Sequence, residues 1–222
     1  MIQSEEDTIG FAEFSKELAK FQAEIDNYDR GRAAEFRKTF RNQLTEYWVR
    51  AVGNPNDEQI KGLGFLTVES IHIRQGQIKA WRAWLVERAQ LDHPVLGILK
   101  ALATVGDKEF AAAAMVVKQK ITELEEGTKT GQINPVIKQR FIANPTVNKI
   151  QLARFYGDLL QELHLQATSA GEELTVAQQQ VYQLVTAAGT PTDVTLQNVA
   201  QFYNRDDTNK RAPLVSKIDK HK

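Results

Sequence analysis

A run of apolar residues near the N-terminus constrains the fold of this chain more than any other feature. Its members are separated by 3, 4, 3, 4 and 3 positions, and they are Phe11, Phe14, Leu18, Phe21, Ile25 and Tyr28. In an α-helix, residues three and four apart lie on one face, so this spacing places all six side chains in one stripe. A helix with such a stripe must pack against other helices or a partner. The stripe therefore predicts an all-α protein.

Apolar residues recur at helical spacing along most of the remaining chain. A first helix is predicted over residues 10–27 and a second over about the next 20 residues, with a break at Asp29, Arg30 and Gly31. These two helices form either an αα-hairpin or one kinked helix, and a loop at residues 53–57 ends the second. Further helices are predicted at residues 77–90, 95–103, 107–124, 150–166, 175–188 and 195–203, and around 213–220.

The predicted helices fall into two groups. Residues 128–145 are rich in Gly, Asn and Pro, so this segment is predicted to connect two domains. We expect a multi-helix bundle over residues 1–127 and a smaller C-terminal helical subdomain with a basic tail over residues 146–222. Residues 62–75 leave two alternatives open, a short strand from alternating apolar residues or a helix from apolar residues seven apart.

The composition excludes several classes of function. Lys plus Arg and Asp plus Glu each total 28, so the formal net charge is zero and the whole chain is not a general polyanion binder. The absence of cysteine excludes disulfides, thiolate metal sites and cysteine nucleophiles. No apolar run is long enough to span a bilayer, and the acidic N-terminus lacks the apolar core of a signal peptide. We therefore expect a cytoplasmic protein with no membrane contact.

One edge of the predicted second helix is basic. Arg30, Arg37 and Arg41 fall within about 40° of one another on a helix. Lys38 lies close by, and Trp48 continues the same edge. Arginines beside an exposed aromatic ring suit phosphate contacts and base stacking. The alternative is a solvated helix flank that nearby acidic residues neutralise.

The C-terminal region has the rhythm of a helix-turn-helix unit. Two predicted helices, at residues 175–188 and 195–203, precede a basic terminal helix. The cations that would contact phosphates are Lys210, Arg211, Lys217 and Lys220. The segment at 204–212 is longer than the usual turn of about 3–4 residues, which weakens this interpretation. The alternative is a helical cap with a basic tail.

Aromatic residues on helix flanks are the candidates for a protein interface. Trp81 and Trp84 are three positions apart, on one face of a predicted helix, and could form an interaction hot spot or part of the core. The full set of interface candidates is Phe11, Phe14, Phe21, Trp48, Trp81 and Trp84.

Recognised catalytic and metal-binding motifs are missing from the sequence. There is no P-loop, no Gly-x-Ser-x-Gly and no His-Glu-x-x-His. Glu69 and His72 have the spacing of a ligand pair in helical di-iron proteins, but such a site needs a second pair. We therefore expect no catalytic residue, no cofactor and no bound metal.

These observations favour a non-enzymatic helical assembly or adaptor protein that binds protein partners or itself. The first alternative is a nucleic-acid-associated protein, such as a helical coat protein or a DNA-binding subunit with a helix-turn-helix-like C-terminus. The second is an enzyme with no recognisable motif. Exposure of Phe11, Phe14 and Phe21 in the folded chain would mark them as interface residues, whereas burial would make them core.

Overall fold

The protein is mostly helical over the part that can be described. The computed structural model describes four stretches of the chain, residues 5–54, 73–144, 146–169 and 173–220, with side chains from Glu13 onward. Helix accounts for 72% of the structure, in nine α-helices, and these stretches contain no strand. The prediction of an all-α, multi-helix protein is confirmed. Most of the ambiguous segment at 62–75 lies outside the described residues.

Helix α1 (Glu5–Asn42) is one continuous helix of 38 residues. The predicted break at residues 29–31 and the αα-hairpin are therefore wrong, and of the two alternatives the structure has the single helix. Asp29 and Arg32 lie four and seven positions after Ile25, so they share the face of the apolar stripe and interrupt its pattern without interrupting the helix. Gly31 is exposed, where a glycine costs a helix only about 1 kcal/mol relative to alanine.

Residue contacts divide the chain into two compact units. The first comprises Met1–Thr39 and Val194–Lys222, and the second comprises Phe40–Asp193. The connector predicted at residues 128–145 lies inside the second unit. The first unit is therefore built from two segments that are distant in the sequence.

In the first unit, the C-terminal segment runs antiparallel to α1. It contains a 3₁₀ turn (Val199–Phe202) and helix α9 (Arg205–Asp219). Asn204 begins α9 through a capping box, in which its side chain accepts from the Asp207 N–H at 2.8 Å and its own N–H donates to the Asp207 carboxylate at 3.1 Å.

The helix-turn-helix trio predicted for the C-terminus is not formed. Its middle helix, predicted at residues 195–203, is only the 3₁₀ turn, and the predicted turn at residues 204–212 belongs to α9. The reason is that Asp206 and Asp207, which look like loop residues in the sequence, stabilise the first turn of a helix through its dipole.

The second unit contains the other helices of the described chain. They are α2 (Leu44–Trp48), a π-helix (Val49–Gly53), α3 (Gln75–Arg88), α4 (Gly97–Ala103), α5 (Phe110–Glu123), α6 (Pro135–Ala143), α7 (Lys149–Thr168) and α8 (Val176–Thr186). The π-helix ends at Asn54, which has a left-handed backbone with φ of 44°. Gly53 and Asn54 thus end this helical stretch where the predicted loop begins, and residues 55–57 of that loop lie outside the described residues.

Helix α7 lies at the centre of the second unit. The Tyr156 ring stacks on Trp48 with ring centres 5.3 Å apart, and Trp81 packs on Trp48 at 5.4 Å. A Cβ added to Gly157 would lie only 2.6 Å from the Cα of Thr45. Glycine at this position therefore allows α7 to approach α2 closely.

Polar residues in the predicted connector cap a helix. The Asn134 side chain accepts from the Val136 N–H at 3.0 Å, and Pro135 occupies the first turn of α6. The Asn134 amide also donates to the Ala177 carbonyl at 2.9 Å and to Gln180 Oε1 at 2.8 Å. Asn134 therefore joins α6 to the beginning of α8.

Candidate interaction surface on α1

The N-terminal half of α1 exposes part of the apolar stripe. Residues 13–23 include no buried side chain, and Phe14 is 37% exposed. Leu18 and Phe21 are half-buried, whereas Ile25 is only 4% exposed. The stripe thus changes from surface to core along one helix, and its N-terminal half is partly exposed.

The contacts described between helix α9 and this stripe reach as far as Phe21. The Lys217 ammonium lies 2.6 Å from Glu24 Oε2 and 5.5 Å from the centre of the Phe21 ring. Helix α9 ends at Asp219, about 3 Å further along its axis, whereas Phe14 lies about 10 Å beyond Phe21 along α1. The last helical residue of α9 therefore lies closer to Phe21 than to Phe14 along α1.

A buried carboxylate anchors α9 to the second half of α1. Asp29 is 6% exposed and accepts from Arg211 Nε at 2.9 Å, from Arg211 Nη2 at 3.0 Å and from the Tyr203 hydroxyl at 2.5 Å. The hydrogen bond to Asp29 raises the pKa of Arg211. Burial, followed by the bond to Asp29, raises the pKa of Tyr203. Arg211 therefore stays charged, and the Tyr203 hydroxyl keeps its proton, at neutral pH.

A second buried carboxylate forms a similar ion pair, but here the acid lies on α9 and the arginine lies on α1. Asp207 of α9 is 3% exposed and lies 2.7 Å from Arg32 Nε of α1. The Tyr28 hydroxyl donates to the Asp207 backbone carbonyl at 3.2 Å. The pKa of Tyr28 is raised by burial and then by the Asp207 charge. Because each helix supplies one acid and one arginine, the two pairs fix the register of α1 against the C-terminal segment.

Aromatic rings fill the space around these two pairs. The Phe36 and Phe202 rings lie 5.8 Å apart, and the Tyr28 and Tyr203 rings meet edge to face at 6.1 Å. The Arg32 guanidinium lies 4.7 Å from the centre of the Phe36 ring. The C-terminal segment thereby holds the second half of α1, and the first half extends from this anchored base.

The C-terminal cations predicted to contact nucleic acid lie mostly in ion pairs within the chain. Lys210 Nζ lies 2.7 Å from Asp206, and Lys217 and Arg211 pair with acids of α1 as described above. Lys220 is exposed. The sequence alone did not reveal these pairings, because two of the three acids concerned lie on α1 and the third lies in the predicted turn.

The basic residues of α1 also differ in their surroundings. Arg30 and Lys38 are exposed, whereas Arg37 is half-buried and donates to the Val194 carbonyl. Arg41 is half-buried, and its Nε is buried without a hydrogen-bond acceptor among the described residues. The predicted basic edge is therefore divided between solvent and contacts within the chain.

The tryptophan candidates lie mainly in the core. Trp48 and Trp81 are 0% exposed, which corrects the expectation that Trp48 continues an exposed edge. Trp84 is half-buried and meets Trp81 edge to face at 5.7 Å. The side chain of Phe11 lies outside the described residues. Among the aromatic candidates with a described side chain, Phe14 and Phe21 are thus the ones on the exposed half of α1.

The described histidines make structural contacts. His93 Nδ1 accepts from the N–H groups of Val95 and Leu96, each at 3.0 Å. His164 Nδ1 lies 2.9 Å from the Tyr182 hydroxyl. Burial lowers the pKa of both imidazoles. Glu69 and His72, which have the spacing of one ligand pair, lie outside the described stretches. Within the described stretches, no three potential ligands form a metal-binding group.

Comparison with known proteins gives no match, whether with models of protein families, with curated proteins or with solved structures. Within the described ranges, no helix is both long enough and apolar enough to cross a bilayer. Functional conclusions therefore rest on the contacts and exposures of the residues themselves, among which the exposed half of the α1 stripe is the clearest candidate surface.

Proposed function

We propose that this chain is a non-enzymatic helical assembly or adaptor protein, and that it binds a protein partner or a second copy of itself through the N-terminal half of α1. The observation that carries the proposal is the exposure of Phe14 on the same stripe that supplies the core residue Ile25. Helical apolar residues at spacings of three and four are the anchors used when one helix binds another or enters a groove.

The anchored half of α1 supports this function. The Asp29 and Asp207 ion pairs hold the C-terminal half of the helix. The exposed half therefore continues a helix that is already formed, so a partner binds it with a reduced cost of ordering the chain. Burial of one fully exposed large apolar side chain contributes about 1.5–3 kcal/mol, so each further anchor on the stripe strengthens the contact.

Self-association is tested by measuring molar mass in solution with light scattering across a range of concentrations. We expect the wild-type chain to form a dimer or larger species as its concentration rises, and Phe14→Glu to shift it toward the monomer. The shift is expected because the carboxylate would lie in the apolar contact.

The matched control is Ala23→Glu, because it adds the same charge at an exposed position about 180° from Phe14 on the helix. It should leave the molar mass unchanged. A chain that is monomeric at all concentrations, or one whose association responds equally to both substitutions, would overturn self-association through this stripe. Crosslinking from a photoreactive residue at position 14 would then test for a different protein partner.

Nucleic-acid binding remains the alternative prediction. Its support is the exposure of Arg30, Lys38 and Lys220, while the ion pairs of Lys210, Arg211 and Lys217 reduce the charge available to phosphates. A binding assay with DNA and RNA at increasing salt distinguishes the two functions, because phosphate contacts weaken steeply with salt.

A further inference from the structure

A groove in the second unit has an apolar lining and a volume of about 480 Å³. It lies among the π-helix, α3, α4 and the beginning of α7. Its apolar lining includes Leu85, Val86, Ala89, Leu99, Ala103 and Leu152. Val86 is 77% exposed, so this lining is open to solvent on the side of α3. Apolar concave sites of about 300–1,000 Å³ are typical of small-molecule binding.

Three cations line the same groove, and no acidic residue does so among the described residues. They are Arg82 of α3, Lys100 of α4 and Lys149 of α7. Arg82 donates to the Ala51 carbonyl at 3.1 Å and to Asn54 Oδ1 at 2.8 Å. These acceptors are neutral, so the bonds orient the guanidinium without cancelling its charge.

The N-terminal end of helix α7 adds to the positive charge beside the groove. Lys149 is the first residue of α7, a helix of 20 residues whose N-terminal end carries the positive end of its dipole. Charge and shape therefore agree: the groove fits a molecule with an apolar body and an anionic group.

The volume favours a single aliphatic chain over a partner helix. A helix about 10 Å wide and two turns long occupies roughly 850 Å³, which is more than the groove holds. We propose that this groove binds a medium-chain anionic amphiphile, with its aliphatic chain on the apolar lining and its carboxylate or phosphate beside the three cations. The site is independent of the α1 stripe and of the function proposed for it.

Isothermal titration calorimetry of the full chain tests the site with four probes of equal chain length, each below its micellar concentration or, for the neutral alcohol, below its solubility limit. They are dodecanoate, dodecyl phosphate, neutral dodecanol and cationic dodecyltrimethylammonium. We expect the two anions to bind and the cation to bind at least tenfold more weakly, with an affinity for the anions that falls as salt rises. The ratio of the two anionic affinities identifies the preferred head group.

Two variants locate the binding. Lys100→Gln combined with Lys149→Gln keeps the length of both side chains and removes two charges, and we expect about tenfold weaker binding of the anions. Arg82 is left in place because it caps the π-helix. Lys108→Gln combined with Lys129→Gln is the control, since both lysines are exposed and neither lines the groove. Ala103→Phe should abolish binding, because Ala103 is an exposed lining residue and the ring would fill the groove.

Three results would overturn the proposal: no binding of either anion, equal binding of the cationic and anionic probes, or anion binding that Ala103→Phe leaves unchanged. If Ala103→Phe instead changes the molar mass while no probe binds, the groove is a contact between copies of the chain. Unfolding of each variant by urea confirms that it is folded. Since the α1 stripe is tested by Phe14→Glu, failure of either proposal is distinguishable from failure of the other.

Discussion

Replacing Asp29 with alanine should destabilise the packing of the C-terminal segment on α1 by about 2–3 kcal/mol. Asp29 is 6% exposed and accepts hydrogen bonds from Arg211 and Tyr203. Removing one partner of a fully buried ion pair costs about 3–5 kcal/mol, chiefly because the other charge is left without compensation. The Arg211 side chain is 31% exposed, so water partly solvates it after the substitution, and the expected loss is smaller.

One further variant separates the charge of Asp29 from its shape, and a second serves as a control. Asp29→Asn keeps an oxygen acceptor for one donor and should cost about 1 kcal/mol, less than the alanine variant. Asp26→Ala, one turn earlier on α1, is the control. Asp26 is half-buried and accepts from Gln22 of the same helix at 2.8 Å, so its removal should cost under about 0.5 kcal/mol.

The measurements are urea unfolding followed by circular dichroism, and hydrogen exchange of the amides in α9. Exchange in α9 should accelerate in Asp29→Ala, because this helix is held by the pair. A double-mutant cycle with Arg211→Ala should give a coupling energy of at least about 1 kcal/mol. An alanine variant that loses no more stability than Asp26→Ala, or a coupling energy near zero, would refute the reasoning.

Two other consequences concern glycine and histidine. Gly157→Ala should destabilise the protein by about 2 kcal/mol, because the added Cβ would meet the Thr45 backbone. Gly31→Ala should instead stabilise the protein by about 0.5–1 kcal/mol, because the added Cβ would enter open space. Urea unfolding measures both, and equal effects would contradict the geometry. Burial lowers the pKa of His93 and His164, so the unfolded chain binds more protons than the folded chain below a pH of about 6.5. The free energy of unfolding should therefore fall as the pH is lowered from about 7 to about 5.5. His93→Asn keeps an acceptor for the two N–H groups and should reduce that fall; an unchanged pH slope would count against this role of His93.

Much of the helical structure could be predicted from apolar spacing. The predicted helix at residues 150–166 corresponds to α7 at Lys149–Thr168, since a strong amphipathic pattern and a capping asparagine both mark it. The errors occur where polar residues serve tertiary contacts. Asp29 was interpreted as part of a break and Asp207 as part of a turn, yet both are buried in ion pairs with arginines on the other helix.

The same limit applies to the candidate surfaces. Trp48 and Phe14 are both aromatic residues on helical stripes, but Trp48 is buried against Tyr156 while Phe14 is 37% exposed. Helical periodicity gives the face on which a residue lies, not whether another element covers that face. The groove beside Lys149 was not predicted at all, because its lining comes from four segments spread along the sequence from Ala51 to Leu152.

By itself, the sequence determined that the chain is helical, that it lacks cysteine chemistry, and that an apolar stripe begins α1. These properties follow from residue type and local spacing. Only the tertiary structure decided that the stripe passes from surface to core near Ile25, that two acid–arginine pairs join α1 to α9, and that three cations meet beside an apolar groove. Those features depend on which distant segments come into contact, and the burial and charge of a side chain are set by those contacts.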